Sequence, residues 1–130
     1  MTFLLDVNLL IALAYEGHAE HPRASAWYAS LPKRDVILAT CSICELGFVR
    51  VSFQAGLEAS IPEAVETLTG LVASSRLPFE RLPDDLGAAD LPPSVRGPKQ
   101  ITDGHLLVLA RKHGAQLATL DRAVPGAVIV

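Results

Sequence analysis

Short apolar runs that lead directly into helix-like segments are the feature that most limits the fold of this 130-residue chain. The run Val36-Ile37-Leu38-Ala39 is typical of a strand buried on both faces, and apolar residues at helical spacing follow it from Ser42. The same order occurs near the start, where residues 2–5 are apolar and residues 7–14 repeat apolar side chains at helical spacing. This alternation predicts an α/β sandwich with a mainly parallel sheet.

Turn and cap signals predict the remaining elements. Pro22 suits the first turn of a second helix, Thr102 is a favourable N-cap, and Gly114 stops the helix that Thr102 would begin. The other predicted elements are a helix over residues 61–72, strands at 79–82, 116–120 and 128–130, and a long loop at 83–98 with room for a helical turn.

Composition favours one compact domain over residues 1–130, since half of the residues are apolar and the length suffices for one core. Asp6 interrupts the apolar run that a signal peptide would need, and no apolar stretch reaches the roughly 18 residues of a membrane span. Two cysteines, Cys41 and Cys44, form no disulfide framework. We therefore expect a cytoplasmic protein that does not enter a membrane.

Four acidic residues lie where predicted strands end or where a helix begins. Asp6, Glu45 and Asp121 lie at or just beyond strand ends, and Asp103 lies in the first turn of a helix. Because the carboxyl ends of parallel strands face one side of a sheet, these acids can converge. Converging carboxylates repel one another unless a cation neutralises them, and an all-oxygen site suits Mg²⁺ or Mn²⁺ better than Zn²⁺.

Such a site has the chemistry that phosphodiester hydrolysis requires. A divalent cation lowers the pKa of a bound water, orients it towards phosphorus and stabilises charge on the phosphate oxygens, and one acid can serve as general base. With a second ion about 4 Å away, the expected products carry a 5′-phosphate and a 3′-hydroxyl. The net charge of −3 argues against nucleic-acid binding, but two bound divalent cations would make the loaded protein weakly positive.

Each acid can also have a purely structural role, and the sequence alone does not decide between the two roles. Asp6 can cap a helix, and Ser42 with Glu45 fits a capping box in which the glutamate only accepts a backbone N–H. Asp103 favours a helix N-terminus through the macrodipole, and Asp121 can belong to a surface turn.

Several short motifs along the chain are more informative about the protein family than the hydrophobic periodicity is. They leave only the middle of the chain, about residues 52–81, without a distinctive motif. Together they resemble the PIN-domain toxins of the VapC type. The matching segments are residues 4–13 (LLDVNLLIAL), 21–27 (HPRASAW), 39–51 (ATCSICELGFVRV), 100–111 (QITDGHLLVLAR) and 117–122 (LATLDR).

The resemblance implies a three-layer α/β/α PIN-like sandwich with a short, mainly parallel central sheet. It also implies an endoribonuclease toxin that depends on Mg²⁺ or Mn²⁺, pairs as a homodimer and is inhibited by a cognate VapB-type antitoxin. Carried over residue by residue, it makes Asp6, Glu45, Asp103 and Asp121 the catalytic and metal-binding acids, with Asn8 and Thr102 as supporting polar groups. Asp6 and Asp103 are the first choices for direct metal ligands.

Basic residues next to these motifs are candidates for phosphate contacts, although charged residues in such places are often only solvated surface. They are Arg50, Arg96, Lys99 and Arg122. The four histidines match no zinc spacing, and we interpret them as capping, packing or exposed residues.

Two other classes of function remain open. Cys41 and Cys44 lie between a strand and a helix, as in a thioredoxin-like redox pair, although two buried small residues would give the same pattern. Alternatively, the chain is a non-catalytic PIN-like binding module that acts only through a partner. Apolar helix faces with Trp27, Tyr28 and Phe53 can form a dimer or antitoxin interface, or simply core.

Overall fold

A five-stranded, entirely parallel sheet is the centre of the computed structural model, which describes residues 1–130. Its strands lie in the order β3-β2-β1-β4-β5. They are β1 (Thr2–Leu5), β2 (Ile37–Thr40), β3 (Phe79–Arg81), β4 (Gln116–Thr119) and β5 (Val128–Ile129). The helices are α1 (Val7–Ala14), α2 (His21–Ser30), α3 (Ser42–Gln54), α4 (Ile61–Ser74) and α5 (Ile101–Lys112). The predicted three-layer α/β/α sandwich is confirmed.

The middle strand β1 sets the geometry of the functional edge. Leu4 pairs with Ala39 of β2 on one side and with Leu117 of β4 on the other, and all three side chains are buried. The backbone N–H of Asp6 donates to the carbonyl of Ala118 at 3.0 Å, so the ladder continues one residue past β1. The residues that follow β1 and β4 therefore emerge side by side at the carboxyl edge of the sheet.

Glycines allow two close approaches near this edge. A Cβ on Gly47 would lie 2.7 Å from Cγ2 of Val7, so only glycine lets α3 pack this closely on α1. A Cβ on Gly104 would overlap the side chain of Val95, so the loop before α5 rests directly on that helix. Gly114 has a φ of +66° and ends α5, as predicted.

Two predicted helix caps are wrong. Helix α5 begins at Ile101, directly after a 3₁₀ turn at Pro98–Gln100, so Thr102 lies within the first turn and is not the N-cap. Proline fixes a helical φ, which explains why the helical path begins earlier than the threonine suggests. The residue before α3 is Cys41, with no side-chain cap, so the predicted capping box at Ser42 does not form.

The long predicted loop contains one short 3₁₀ turn, at Ala88–Asp90, as expected. None of the helices combines the length and apolar character that crossing a membrane requires.

Candidate functional site

Asp6 is the most enclosed acid of the predicted site, with 7% of its surface exposed. It caps α1, because Oδ1 accepts the N–H of Val7 at 2.7 Å, while Oδ2 accepts the hydroxyl of Thr119 at 2.8 Å. Burial raises the pKa of the Asp6 carboxyl more than these two hydrogen bonds lower it. The nearby charge of Asp121 raises that pKa further. A cation beside Asp6 would remove this electrostatic penalty.

Thr119 is a site residue that sequence reasoning missed. It is fully buried at the end of β4, and its Oγ1 also accepts the Nδ2 donor of Asn8 at 3.1 Å and the N–H of Asp121 at 3.1 Å. Asn8 in turn accepts the N–H of Leu120 through Oδ1 at 3.2 Å. One hydroxyl thus joins three predicted site residues. The available signal was a hydroxyl residue that ends an apolar strand two positions before an aspartate.

Asp103 and Asp121 face the same cleft as Asp6. Asp103 lies half-buried in the first turn of α5, and burial is the main cause that raises the pKa of its carboxyl. The charges of Asp6 and Asp121 raise that pKa as well, so the three carboxylates interact electrostatically. Asp121 is exposed, and its Oδ1 accepts the N–H of Ala123 at 2.9 Å. The cleft has a volume of about 390 Å³. Its polar lining residues are Asp6, Asn8, His18, Arg50, Thr102, Asp103 and Asp121.

The donor set of this cleft suits a hydrated hard cation. No three His, Cys, Asp or Glu side chains are drawn together closely enough to ligate one ion directly. Mg²⁺ keeps several of its waters and commonly binds proteins through only one or two carboxylates, so three interacting aspartates are sufficient donors. The cleft has one histidine, His18, and no cysteine, which is fewer of these ligands than a structural zinc site uses.

Glu45 lies apart from this cleft. Its Oε2 accepts the hydroxyl of Thr40 at 2.6 Å and lies 3.9 Å from Nε of Arg81. It lines a separate, mainly apolar groove of about 530 Å³ between α3, α4 and β3. The structure therefore brings Asp6, Asp103 and Asp121 together and turns Glu45 towards a cation on the neighbouring strand.

Only one of the predicted phosphate-binding residues lines the cleft. Arg50 is exposed and lines the cleft with the three aspartates. The other three are exposed but do not line it, and none of the four forms an ion pair with an acid. These three residues are Arg96, Lys99 and Arg122.

Both cysteines are fully buried in the hydrophobic core. A hydrogen bond from Cys44 is the main cause that lowers the pKa of Cys41, to about 7, and the same contact together with burial raises the pKa of Cys44. A thiol that exchanges with other proteins needs access as well as a low pKa. Burial therefore favours the packing interpretation of this pair over the thioredoxin-like one.

Known proteins resemble this chain over nearly its whole length. The PIN domain matches residues 3–126. Ribonuclease VapC38 of Mycobacterium tuberculosis is 39% identical over 123 residues, which cover 93% of this chain and 86% of the relative. Ribonuclease VapC29 of the same organism is 38% identical over 122 residues, with the same coverage of 93% and 86%.

Two solved structures share the fold. Mycobacterium tuberculosis VapC20, described as a Sarcin-Ricin loop cleaving toxin, gives a TM-score of 0.66 at 18% identity and covers 98% of this chain and 96% of its own. VapBC2 from Rickettsia felis, bound to a DNA fragment from its promoter, gives 0.57 at 14% identity and covers 100% and 98%. The sequence matches carry the assignment beyond the fold: the chain belongs to the PIN-domain family, among the VapC-type ribonucleases.

Proposed function

We propose that the protein is a Mg²⁺- or Mn²⁺-dependent endoribonuclease toxin that hydrolyses RNA to products with 5′-phosphate and 3′-hydroxyl ends. The observation that carries the proposal is the convergence of Asp6, Asp103 and Asp121 on one cleft from distant parts of the chain. The relatives named as ribonucleases support RNA as the substrate.

Each aspartate has a distinct task in this proposal. When bound, a divalent cation supplies an activated water and positive charge next to the phosphate. Asp6 and Asp103 are the proposed ligands; Asp6 is held rigid by Thr119 and by the start of α1. The exposed Asp121 carboxylate can take up a proton from water at the cleft. Asn8 and Thr102 line the cleft as supporting polar groups, and Arg50 is the proposed phosphate contact.

Glu45 enters the proposal as the fourth acid, from outside the cleft. Its ion-pair partner Arg81 has a side chain that is 63% exposed, and that of Glu45 is 34% exposed. Exposed ion pairs contribute little free energy, so this pair does not lock the glutamate away from an incoming cation and RNA strand.

A cognate VapB-type antitoxin is the proposed protein partner. The Rickettsia felis structure contains a VapBC pair, and the sequence relatives are ribonucleases that carry the VapC name. The apolar groove beside Glu45 offers such a partner a surface. Homodimer formation, a single domain over residues 1–130 and a cytoplasmic location are further parts of the proposal. Arg96, Lys99 and Arg122 would then contact RNA outside the cleft.

The test is incubation of the purified protein with total RNA and Mg²⁺ or Mn²⁺, followed by mapping of new RNA ends. We expect cuts with 5′-phosphates that disappear in EDTA and in the Asp6→Asn, Asp103→Asn double variant. Asp85→Asn is the matched control, because it makes the same chemical change at an exposed residue outside the cleft. Cuts that persist in EDTA and in the folded double variant would refute the proposal.

A further inference from the structure

His18 lines the acidic cleft from the loop between α1 and α2. Its Nδ1 lies 3.0 Å from the backbone N–H of Glu20, which donates to it. A backbone N–H has no acceptor capacity, so Nδ1 must be unprotonated. The neutral imidazole therefore carries its proton on Nε2, and the local backbone defines the tautomer.

Nε2 of His18 has no hydrogen-bond partner in the protein. No side-chain nitrogen or oxygen is both buried and unpartnered, so this Nε2–H reaches solvent. His21, three residues later, differs: its Nδ1 donates to the carbonyl of Ala12 at 2.7 Å and holds the end of α1. Nδ1 thus accepts a hydrogen bond in His18 and donates one in His21, and His18 is the one of the two that lines the cleft.

None of the three cleft aspartates accepts a hydrogen bond from His18, so a bound substrate can supply the acceptor in place of water. Arg50 lines the same cleft and is also free of acidic partners. We propose that His18 donates from Nε2 to a non-bridging phosphate oxygen of the bound RNA strand and thereby positions that strand across the aspartates. This inference rests on the proposed ribonuclease function.

The chemistry of the contact predicts a particular kinetic signature. A hydrogen bond that forms in both the bound complex and the transition state affects KM and leaves kcat nearly unchanged. A phosphate contact also acts equally on RNAs of different sequence. Loss of one hydrogen bond to a charged oxygen at a half-open site should raise KM about ten-fold.

Two substitutions separate the donor from the local structure. In His18→Asn the side-chain oxygen can still accept the N–H of Glu20, while nothing reaches the position of Nε2. In His18→Gln an amide donor reaches near that position. The matched control is His113→Asn, because His113 bonds the carbonyl of Pro83 outside the cleft.

The experiment measures kcat and KM on labelled single-stranded RNA oligonucleotides that carry the strongest site mapped in total RNA, with altered flanking bases in half of them. We expect about a ten-fold higher KM for His18→Asn on every oligonucleotide, with kcat within about two-fold. His18→Gln should recover part of the loss, and His113→Asn should match the wild type. An unchanged KM, a loss confined to kcat, or an effect that depends on the flanking bases would overturn the inference.

Binding of a labelled single-stranded RNA oligonucleotide of mixed sequence needs no mapped cleavage site. Measured by fluorescence anisotropy in an Asp103→Asn background, it tests the His18 contact separately from cleavage. A wild-type protein that never cuts refutes the ribonuclease function. The Kd values still decide the role of His18: an increase of about ten-fold with His18→Asn supports the contact, and equal Kd values overturn it.

Discussion

Asp6 and Glu45 have similar local structure but different electrostatic environments. Each follows a parallel strand, lies at the start of a helix and accepts a threonine hydroxyl, from Thr119 and Thr40 respectively. Burial and, to a smaller extent, the nearby charge of Asp121 raise the pKa of the Asp6 carboxyl, whereas Glu45 is partly exposed and faces the cation of Arg81. Negative charge without a compensating cation is therefore concentrated at Asp6, and binding of a divalent cation is most favourable there.

Loss of the cleft aspartates should have the largest effect. Asp6→Asn or Asp103→Asn removes a proposed metal ligand, and we expect kcat/KM for RNA cleavage to fall about 10³-fold. The measurement is the initial rate of cleavage of a labelled RNA at several Mg²⁺ concentrations. Activity within ten-fold of the wild type in either folded variant would place the metal elsewhere.

Glu45→Gln should cost less, about ten- to a hundred-fold in kcat/KM, because Glu45 lies outside the cleft and has its own cation. The same assay compares it directly with Asp6→Asn. Equal losses would show that Glu45 joins the cluster once cation and RNA are bound, and would remove the distinction between the two acids.

Thr119→Val tests the hydroxyl that orders the cleft. The substitution keeps the shape of the side chain but leaves the buried Asp6 carboxylate without one donor, so the pKa of Asp6 should rise further. We expect about a ten-fold loss of kcat/KM and a shift of the acidic limb of its pH profile to higher pH. Thr67→Val, which removes a hydroxyl donor to the carboxylate of Glu58 outside the cleft, is the matched control and should leave that limb in place.

The smallest expected effect is on the pH dependence of thermal stability in the absence of metal. Because the folded-state pKa values of Asp6 and Asp103 are raised, their protonated forms favour folding below the unfolded-state pKa, and this contribution is lost as pH rises through the folded-state values. In EDTA, the wild type should therefore lose Tm relative to Asp6→Asn as pH increases from 4 to 7. Added Mg²⁺ should restore Tm in the wild type more than in Asp6→Asn. Parallel Tm curves for the two proteins would contradict the raised pKa.

The parts of the fold that follow from local chemistry could be predicted from the sequence. The apolar run before Asp6, the helix after it and the stop at Gly114 depend on neighbouring residues, and the structure has all three. Thr102 is not the N-cap that its position predicts, because Pro98 starts the helical turn earlier. Local signals thus located the elements better than their exact ends.

The site depends more on contacts between distant residues. The bond between Thr119 and Asp6 joins positions 113 residues apart, and it exists because β4 lies next to β1 in the sheet. The pairing of Glu45 with Arg81 likewise follows from β3 lying beside β2. No local motif encodes strand order. The sequence therefore predicts that acids converge, but not that Glu45 lies apart or which partner each acid has.

Mn²⁺ binding tests most directly whether the cleft at Asp6 is the metal centre. Free Mn²⁺ can be followed by electron paramagnetic resonance during titration of the wild type, the Asp6→Asn, Asp103→Asn double variant and Glu45→Gln, with RNA cleavage assayed in the same samples. We predict that the double variant loses both Mn²⁺ binding and cleavage, whereas Glu45→Gln retains Mn²⁺. Mn²⁺ binding that is equal in the wild type and the double variant would contradict a metal centre at this cleft.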